Sequence, residues 1–162
     1  ARQWRYRMNL RTGEAREECL NAEHNVEFPS YDSRRTGRRT RWAYLVDHDP
    51  NILRWTGVRK FDTDSGECTG AWSDGHAHCW YSEPWFAPAD NQRSEDHGYV
   101  VSFVWNARER TQQLQVFDAL DISRGPVARV HLPQRVPAGF HACWVKPEQI
   151  SNAGQEAIAK PS

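Results

Sequence analysis

The sequence has no net charge and no long apolar run. Its 21 lysines and arginines balance 21 acidic residues, so we expect no nucleic-acid partner. No apolar stretch approaches the roughly 18 residues needed to span a bilayer, and no signal peptide is evident. The four cysteines show no C-x-x-C spacing. Few, widely separated cysteines favour reduced thiols over a disulfide framework and predict a cytoplasmic location.

Helical periodicity is also scarce, whereas alternation of apolar and polar residues is common. Such alternation is typical of β-strands and is seen in "WRYRMNL", "RWAYLV", "GVRKFD", "YVVSFVW", "QLQVFDA" and "VARVHL". Turn-forming clusters separate these stretches. The pattern predicts an all-β fold over residues 1–147, followed by a polar C-terminal tail over 148–162.

An internal echo suggests how the strands are grouped. "MNLRTGE" at residue 8 is repeated as "FDTDSGE" at residue 61 and, more loosely, as "FDALDISRG" at residue 117. A repeat of about 50 residues with several short strands is typical of β-propeller blades, although similar hairpins also recur by chance in all-β proteins. Three such units do not close a ring. Because strand pattern begins at once after Ala1, we expect the chain to be part of a longer polypeptide.

Two polar clusters have a functional and a plain interpretation. "HAHC" at 76–79 offers two imidazoles and a thiol of the kind zinc uses, but no second ligand cluster accompanies it, so a surface turn is favoured. "SRRTGRRTR" at 33–41 contains five arginines that could hold phosphates. The neutral chain and the glycine turn favour a solvated hairpin.

Three further residues are candidates for a buried polar site. Glu27 in "EFP" and Glu83 in "SEP" lie next to or near prolines among aromatic residues. Each is either an edge-strand carboxylate facing water or an acceptor for a buried histidine. His141 lies among apolar residues in "RVPAGFHACWV". Such a ring is either a hydrogen-bonded core histidine or a ligand of something bound.

Several of these stretches together resemble the C-terminal part of carotenoid cleavage oxygenases, a family that includes stilbene- and isoeugenol-cleaving enzymes. They are "VEFPSYDSRRTGRRTRWAYLV", "GVRKFDTDSGE", "SEPWFAPADNQRSEDHGYVVSFVWN" and "LQVFDALDISRGPVARVHLPQRVPAGFHACWV". The resemblance implies a seven-bladed β-propeller, of which this chain would form roughly the last three blades, with the remaining blades in the same polypeptide. It also implies a non-haem Fe(II) ion bound by four histidines, some of which are hydrogen-bonded by glutamates.

By the same resemblance, His141 matches the last iron-binding histidine, while Glu27 and Glu83 match glutamates that hydrogen-bond iron-bound histidines. The implied reaction is cleavage by O₂ of a conjugated carbon–carbon double bond into two carbonyl products. The implied substrates are apolar: apocarotenoids, carotenoids or stilbenes and other phenylpropenoids. Membrane contact through parts outside this chain is left open. With one of four ligands, the 162 residues alone should be inactive. The alternative is a non-catalytic binding or scaffold module.

Overall fold

A computed structural model describes residues 1–75, 77–137 and 139–145 of the chain. Within these ranges the protein contains β-strands and two short 3₁₀ helices, with no α-helix, which confirms the all-β prediction. No helix in the described ranges is long and apolar enough to cross a membrane. The predicted polar tail, 148–162, lies outside the described residues.

The strands form three antiparallel sheets that follow one another along the chain. Their bounds are β1 (Gln3–Met8), β2 (Ala15–Asn21), β3 (Val26–Ser30), β4 (Trp42–His48), β5 (Trp55–Asp62), β6 (Cys68–Trp72), β7 (Cys79–Tyr81), β8 (Trp85–Pro88), β9 (Gly98–Asn106), β10 (Thr111–Asp118) and β11 (Pro126–Leu132). The first sheet is the β1–β2 hairpin and the second is the meander β3–β4–β5–β6. In the third sheet the order is β11–β10–β9, and both β7 and β8 pair with β9. Such consecutive meanders are the architecture expected of propeller blades.

The repeated sequence segments occupy equivalent turns. In the first sheet the Asn9 N–H donates to the Glu14 carbonyl at 2.8 Å, closing the β1–β2 hairpin. In the second sheet the Asp62 N–H donates to the Glu67 carbonyl at 2.9 Å, closing the β5–β6 hairpin. The third, looser copy connects β10 to β11. The echo therefore marks the same last hairpin in each successive sheet.

The core lies between the sheets, and β4 contributes to it from both faces. Tyr44 and Val46 point into a cluster shared with the third sheet, whereas Ala43 and Leu45 point into a smaller cluster on the other side. Alternate residues of a strand face opposite sides, so a strand packed between two sheets is apolar at every position. The Tyr44 ring stacks on Phe86 with centroids 5.6 Å apart, which joins the second and third sheets.

A buried ion pair also joins these two sheets. The Lys60 ammonium donates to an Asp96 carboxylate oxygen at 2.6 Å and to the Leu120 carbonyl at 3.0 Å. The ammonium lies 4.2 Å from the centre of the Trp42 ring. Burial alone would raise the pKa of Asp96, but hydrogen bonds from Lys60 and Ser94 outweigh it and lower the pKa. Lys60 thus ties β5 to the loops of the third sheet.

Candidate functional site

Glu83 lies at an interruption in the first strand of the third sheet. β7 ends at Tyr81 and β8 begins at Trp85, and both pair with β9. Pro84 cannot donate to a β-ladder, so the strand must break where "SEP" occurs. The break leaves the Glu83 carboxylate outside the strand pairing and directed at the chain segment 139–145, although the residue is only 7% exposed.

Two of the sequence-predicted residues meet at this break. The Ala142 N–H donates to Glu83 Oε2 at 2.7 Å. The His141 Nδ1 atom lies 3.6 Å from Glu83 Oε1, just beyond hydrogen-bond distance. Because Nδ1 faces the carboxylate, Nε2 is the ring nitrogen available to a ligand. The structure thus places His141 and Glu83 next to each other, whereas their predicted roles at an iron ion stay predictions.

The environment of His141 differs from the apolar burial expected from the sequence. Its side chain is 77% exposed among the described residues. The segment 139–145 that carries it follows β11 and forms no strand. A hydrogen-bonded core histidine, the plain interpretation, does not fit this exposure. The ring is positioned from one side, by Glu83 and an aromatic neighbour, Phe28.

Glu27 occupies the corresponding place in the second sheet. It lies in the first strand, β3, where the pairing with β4 shifts register between Glu27 and Ser30. A carboxylate oxygen of Glu27 accepts a hydrogen bond from the indole N–H of Trp55 at 3.1 Å. Among the described residues this partner is a tryptophan and not a histidine, so the predicted pairing of Glu27 with a metal-bound histidine stays a prediction.

Aromatic rings link the two carboxylate positions. The Phe28 ring centre lies 5.3 Å from that of Trp55 and 5.6 Å from that of His141. Phe140 lies against the same group, 6.0 Å from Trp55 and 6.3 Å from Phe28. Edge-on and tilted ring contacts at these distances are favourable and directional. Glu27 and His141 therefore belong to one packed site built from two adjacent sheets.

A small recess opens beside His141. Its volume is about 140 Å³, and large aromatic side chains form much of its wall, including Trp55, Trp80, Phe103 and Trp105. Arg135 also lines the recess, with its guanidinium 5.1 Å from the Trp105 ring centre. A recess of this size and composition accepts a flat apolar group rather than a whole large ligand. The chain has eight tryptophans, but its sequence alone does not indicate which of them form this wall.

The structure gives no support to a zinc site at residues 76–79. Cys79 is buried in β7, and burial raises the pKa of its thiol, which disfavours the thiolate that metals bind. His78 is exposed, and His76 lies outside the described residues. In the described ranges no three His, Cys, Asp or Glu side chains are close enough together to hold a metal ion. All four cysteines are free thiols.

The arginine-rich segment is neutralised by acidic partners. Four of its arginines form ion pairs: Arg34 with Asp32, Arg35 with Glu95, Arg39 with Asp64, and Arg41 with Asp62. The Arg41 guanidinium holds the pKa of the Asp62 carboxyl below its usual range. An anion would have to displace these carboxylates. The arrangement agrees with the solvated-hairpin interpretation and disfavours a phosphate site.

Comparison with known proteins gives a consistent result. The family model for RPE65, retinal pigment epithelial membrane protein, matches residues 1–146. The chain is 37% identical to carotenoid 9,10(9',10')-cleavage dioxygenase 1 of Pisum sativum, over 89% of this chain and 29% of that protein.

Solved structures show the same fold. A cobalt-substituted Synechocystis ACO superposes with a TM-score of 0.80 at 23% identity, covering 90% of this chain and 30% of that one. The lignostilbene dioxygenase of Pseudomonas brassicacearum superposes with a TM-score of 0.75 at 26% identity, covering 88% and 32%. The chain thus spans less than a third of the length of each of these three relatives. Their agreement with the three sheets confirms the predicted partial propeller.

Proposed function

Because this chain belongs to the RPE65/carotenoid cleavage oxygenase family, we propose that it forms the C-terminal blades of a non-haem Fe(II)-dependent dioxygenase. Its reaction is cleavage of a conjugated carbon–carbon double bond into two carbonyl products. The substrate class is an apocarotenoid, carotenoid or stilbene-like phenylpropenoid. Relatives whose names record carotenoid and lignostilbene cleavage support this proposal. The observation that carries it is the contact between Glu83 and the His141 segment beside an aromatic recess.

The donor set fits a histidine-bound iron ion. His141 presents Nε2 as the metal-binding nitrogen because Nδ1 faces Glu83 at 3.6 Å. A carboxylate on the far side of an imidazole fixes its tautomer and raises its basicity, which strengthens metal binding. When bound, the iron supplies activation of O₂ for alkene cleavage. The other three histidine ligands implied by the family would come from blades outside this chain.

The aromatic recess is proposed to hold part of the substrate. A flat ring or polyene end gains apolar burial against Trp80, Phe103 and Trp105, which line the recess together with His141. A conjugated molecule with few polar groups has few atoms that would lose hydrogen bonds to water when it enters the recess. The cytoplasmic location, and any membrane contact by other parts of the protein, stay predictions.

The test uses the full-length protein that contains this chain. We expect about one Fe(II) per molecule and conversion of an apocarotenoid or a hydroxystilbene to aldehyde fragments, measured by metal analysis and by chromatography of the products. A His141→Ala variant should lose both, whereas His78→Ala should retain both, since His78 is exposed and does not line the recess. A wild-type protein without stoichiometric iron would favour the scaffold alternative.

A further inference from the structure

We propose that Trp55 is a positioning residue of the metal site. Its indole N–H holds Glu27, and its aromatic neighbours hold the His141 segment. The inference rests on the proposed function. Neither the charge of the sequence nor its motifs identifies Trp55, which lies 28 residues after Glu27 in the chain. The structure brings the two together across β4, which lies between their strands β3 and β5.

The hydrogen bond constrains one end of the Glu27 carboxylate. Trp55 Nε1 donates to Oε2 at 3.1 Å, while Oε1 has no hydrogen-bond partner in the described part of the chain. A carboxylate has two acceptor oxygens, so the second oxygen stays available for the N–H of an imidazole from another blade. Fixing Oε2 also fixes the direction in which Oε1 points. Trp55 thereby determines where a histidine must lie to be bound by Glu27.

Trp55 is itself rigidly placed. It begins β5 and pairs with His48, next to an irregularity in the β4–β5 ladder. The residue is 8% exposed and belongs to the core cluster between the second and third sheets. A hydrogen-bond donor on such a packed ring loses little freedom when it binds its acceptor. The indole can therefore hold the carboxylate in one orientation.

Phe28 transmits the same constraint to His141. Its backbone φ is +52°, an unusual conformation for a bulky residue that must be stabilised by the surroundings. The ring centre lies 5.3 Å from that of Trp55 and 5.6 Å from that of His141. Phe140, next to His141 in sequence, contacts both Phe28 and Trp55. One indole thus contacts both halves of the site.

Trp72 provides a matched control for the indole N–H. It lies on the neighbouring strand β6 and packs against the same core cluster, but its buried Nε1 has no hydrogen-bond partner among the described residues. It does not line the recess beside His141. Trp72→Phe and Trp55→Phe remove the same atoms from the core. Only Trp55→Phe also removes a hydrogen bond to a carboxylate of the site.

The test measures Fe(II) affinity of the full-length protein by competition with a chelator. We expect Trp55→Phe to weaken binding about tenfold, at the lower end of the effect of losing a group that orients a ligand. Trp72→Phe should change binding less than twofold. In a Glu27→Ala background, Trp55→Phe should weaken binding no further, because phenylalanine keeps an aromatic ring beside Phe28 and Phe140 and loses only the hydrogen bond to Glu27. Equal effects of the two tryptophan substitutions, or additive effects with Glu27→Ala, would overturn the proposal.

A metal-free measurement keeps the inference testable if Trp55→Phe does not fold. In ¹⁵N-tryptophan-labelled apoprotein, Glu27→Ala should shift the indole N–H resonance of Trp55 and leave that of Trp72 in place. An unchanged Trp55 resonance would refute the proposed role. A wild-type protein that holds no iron would instead refute the proposed function, whereas iron binding that is insensitive to Trp55→Phe would refute this inference alone.

Discussion

Glu83→Gln tests the site most directly, because the substitution preserves shape and removes one acceptor. The Glu83 carboxylate faces two groups. Its Oε2 accepts a hydrogen bond from the Ala142 N–H at 2.7 Å, and its Oε1 lies 3.6 Å from His141 Nδ1. An imidazole that binds a metal through Nε2 carries its proton on Nδ1, so both groups are donors. Glutamine offers one acceptor oxygen and one donor NH₂.

The loss of one acceptor oxygen in Glu83→Gln should weaken metal binding rather than folding. In the metal-free protein, the Gln amide can keep its oxygen on Ala142 and donate its NH₂ to an unprotonated Nδ1 of His141. That arrangement places the proton on Nε2, which is the wrong tautomer for binding. Restoring the right tautomer leaves a donor facing a donor, at a cost of about 1–3 kcal/mol. Since about 1.4 kcal/mol is tenfold, Fe(II) affinity should fall roughly 10–100-fold.

The assay is a chelator-competition titration of the full-length protein, with the rate of aldehyde formation measured in parallel. Activity at limiting iron should fall by the same factor as affinity, and the thermal unfolding of the apoprotein should be nearly unchanged. Glu67→Gln is the control, because Glu67 is an exposed glutamate in the β5–β6 turn. A dissociation constant for Glu83→Gln within twofold of the wild-type value would refute the reasoning.

Further predictions concern stability and completeness of the site. Asp96→Ala leaves the buried Lys60 ammonium without its carboxylate partner and should lower the free energy of unfolding in urea by about 3–5 kcal/mol. Asp64→Ala, at the exposed ion pair with Arg39, should lower it by less than about 1 kcal/mol. Equal losses would contradict the buried-pair argument. Because the pKa of Asp96 is lowered by folding, its stabilisation is present above about pH 4 and is lost as the pH falls through the folded-state value. Gly66→Ala should lower the Tm far more than Gly13→Ala. Both glycines have positive φ, but a Cβ at Gly66 would collide with the Leu20 carbonyl, whereas the space at Gly13 is open. Similar Tm values of the two variants would contradict the predicted collision. The isolated 162-residue chain should show no cleavage activity, and measurable product would contradict the need for ligands from other blades.

The sequence predicted the strands that alternate strongly and missed those that do not. "GVRKFD" and "YVVSFVW" lie within β5 and β9, because their alternating or continuous apolar residues pack between sheets. By contrast, β7 and β8 have three and four residues, too few for a period to be recognised. They are strands because they pair with β9. This pairing is a tertiary interaction, which the β-propensity of their residues does not predict.

The candidate site divides in the same way. "EFP", "SEP" and the histidine of "GFH" were recognisable as residue types at characteristic places, because proline within a sheet is confined to edge strands, strand starts and bulges. That Glu83 meets the His141 segment across 59 residues, and that Trp55 supplies the donor to Glu27, was decided only by the packing of sheets. Local sequence specifies hydrogen-bonding capacity and backbone freedom. Which donor reaches which acceptor depends on the relative placement of strands that are distant in the chain, and that placement is fixed by burial of their shared apolar faces.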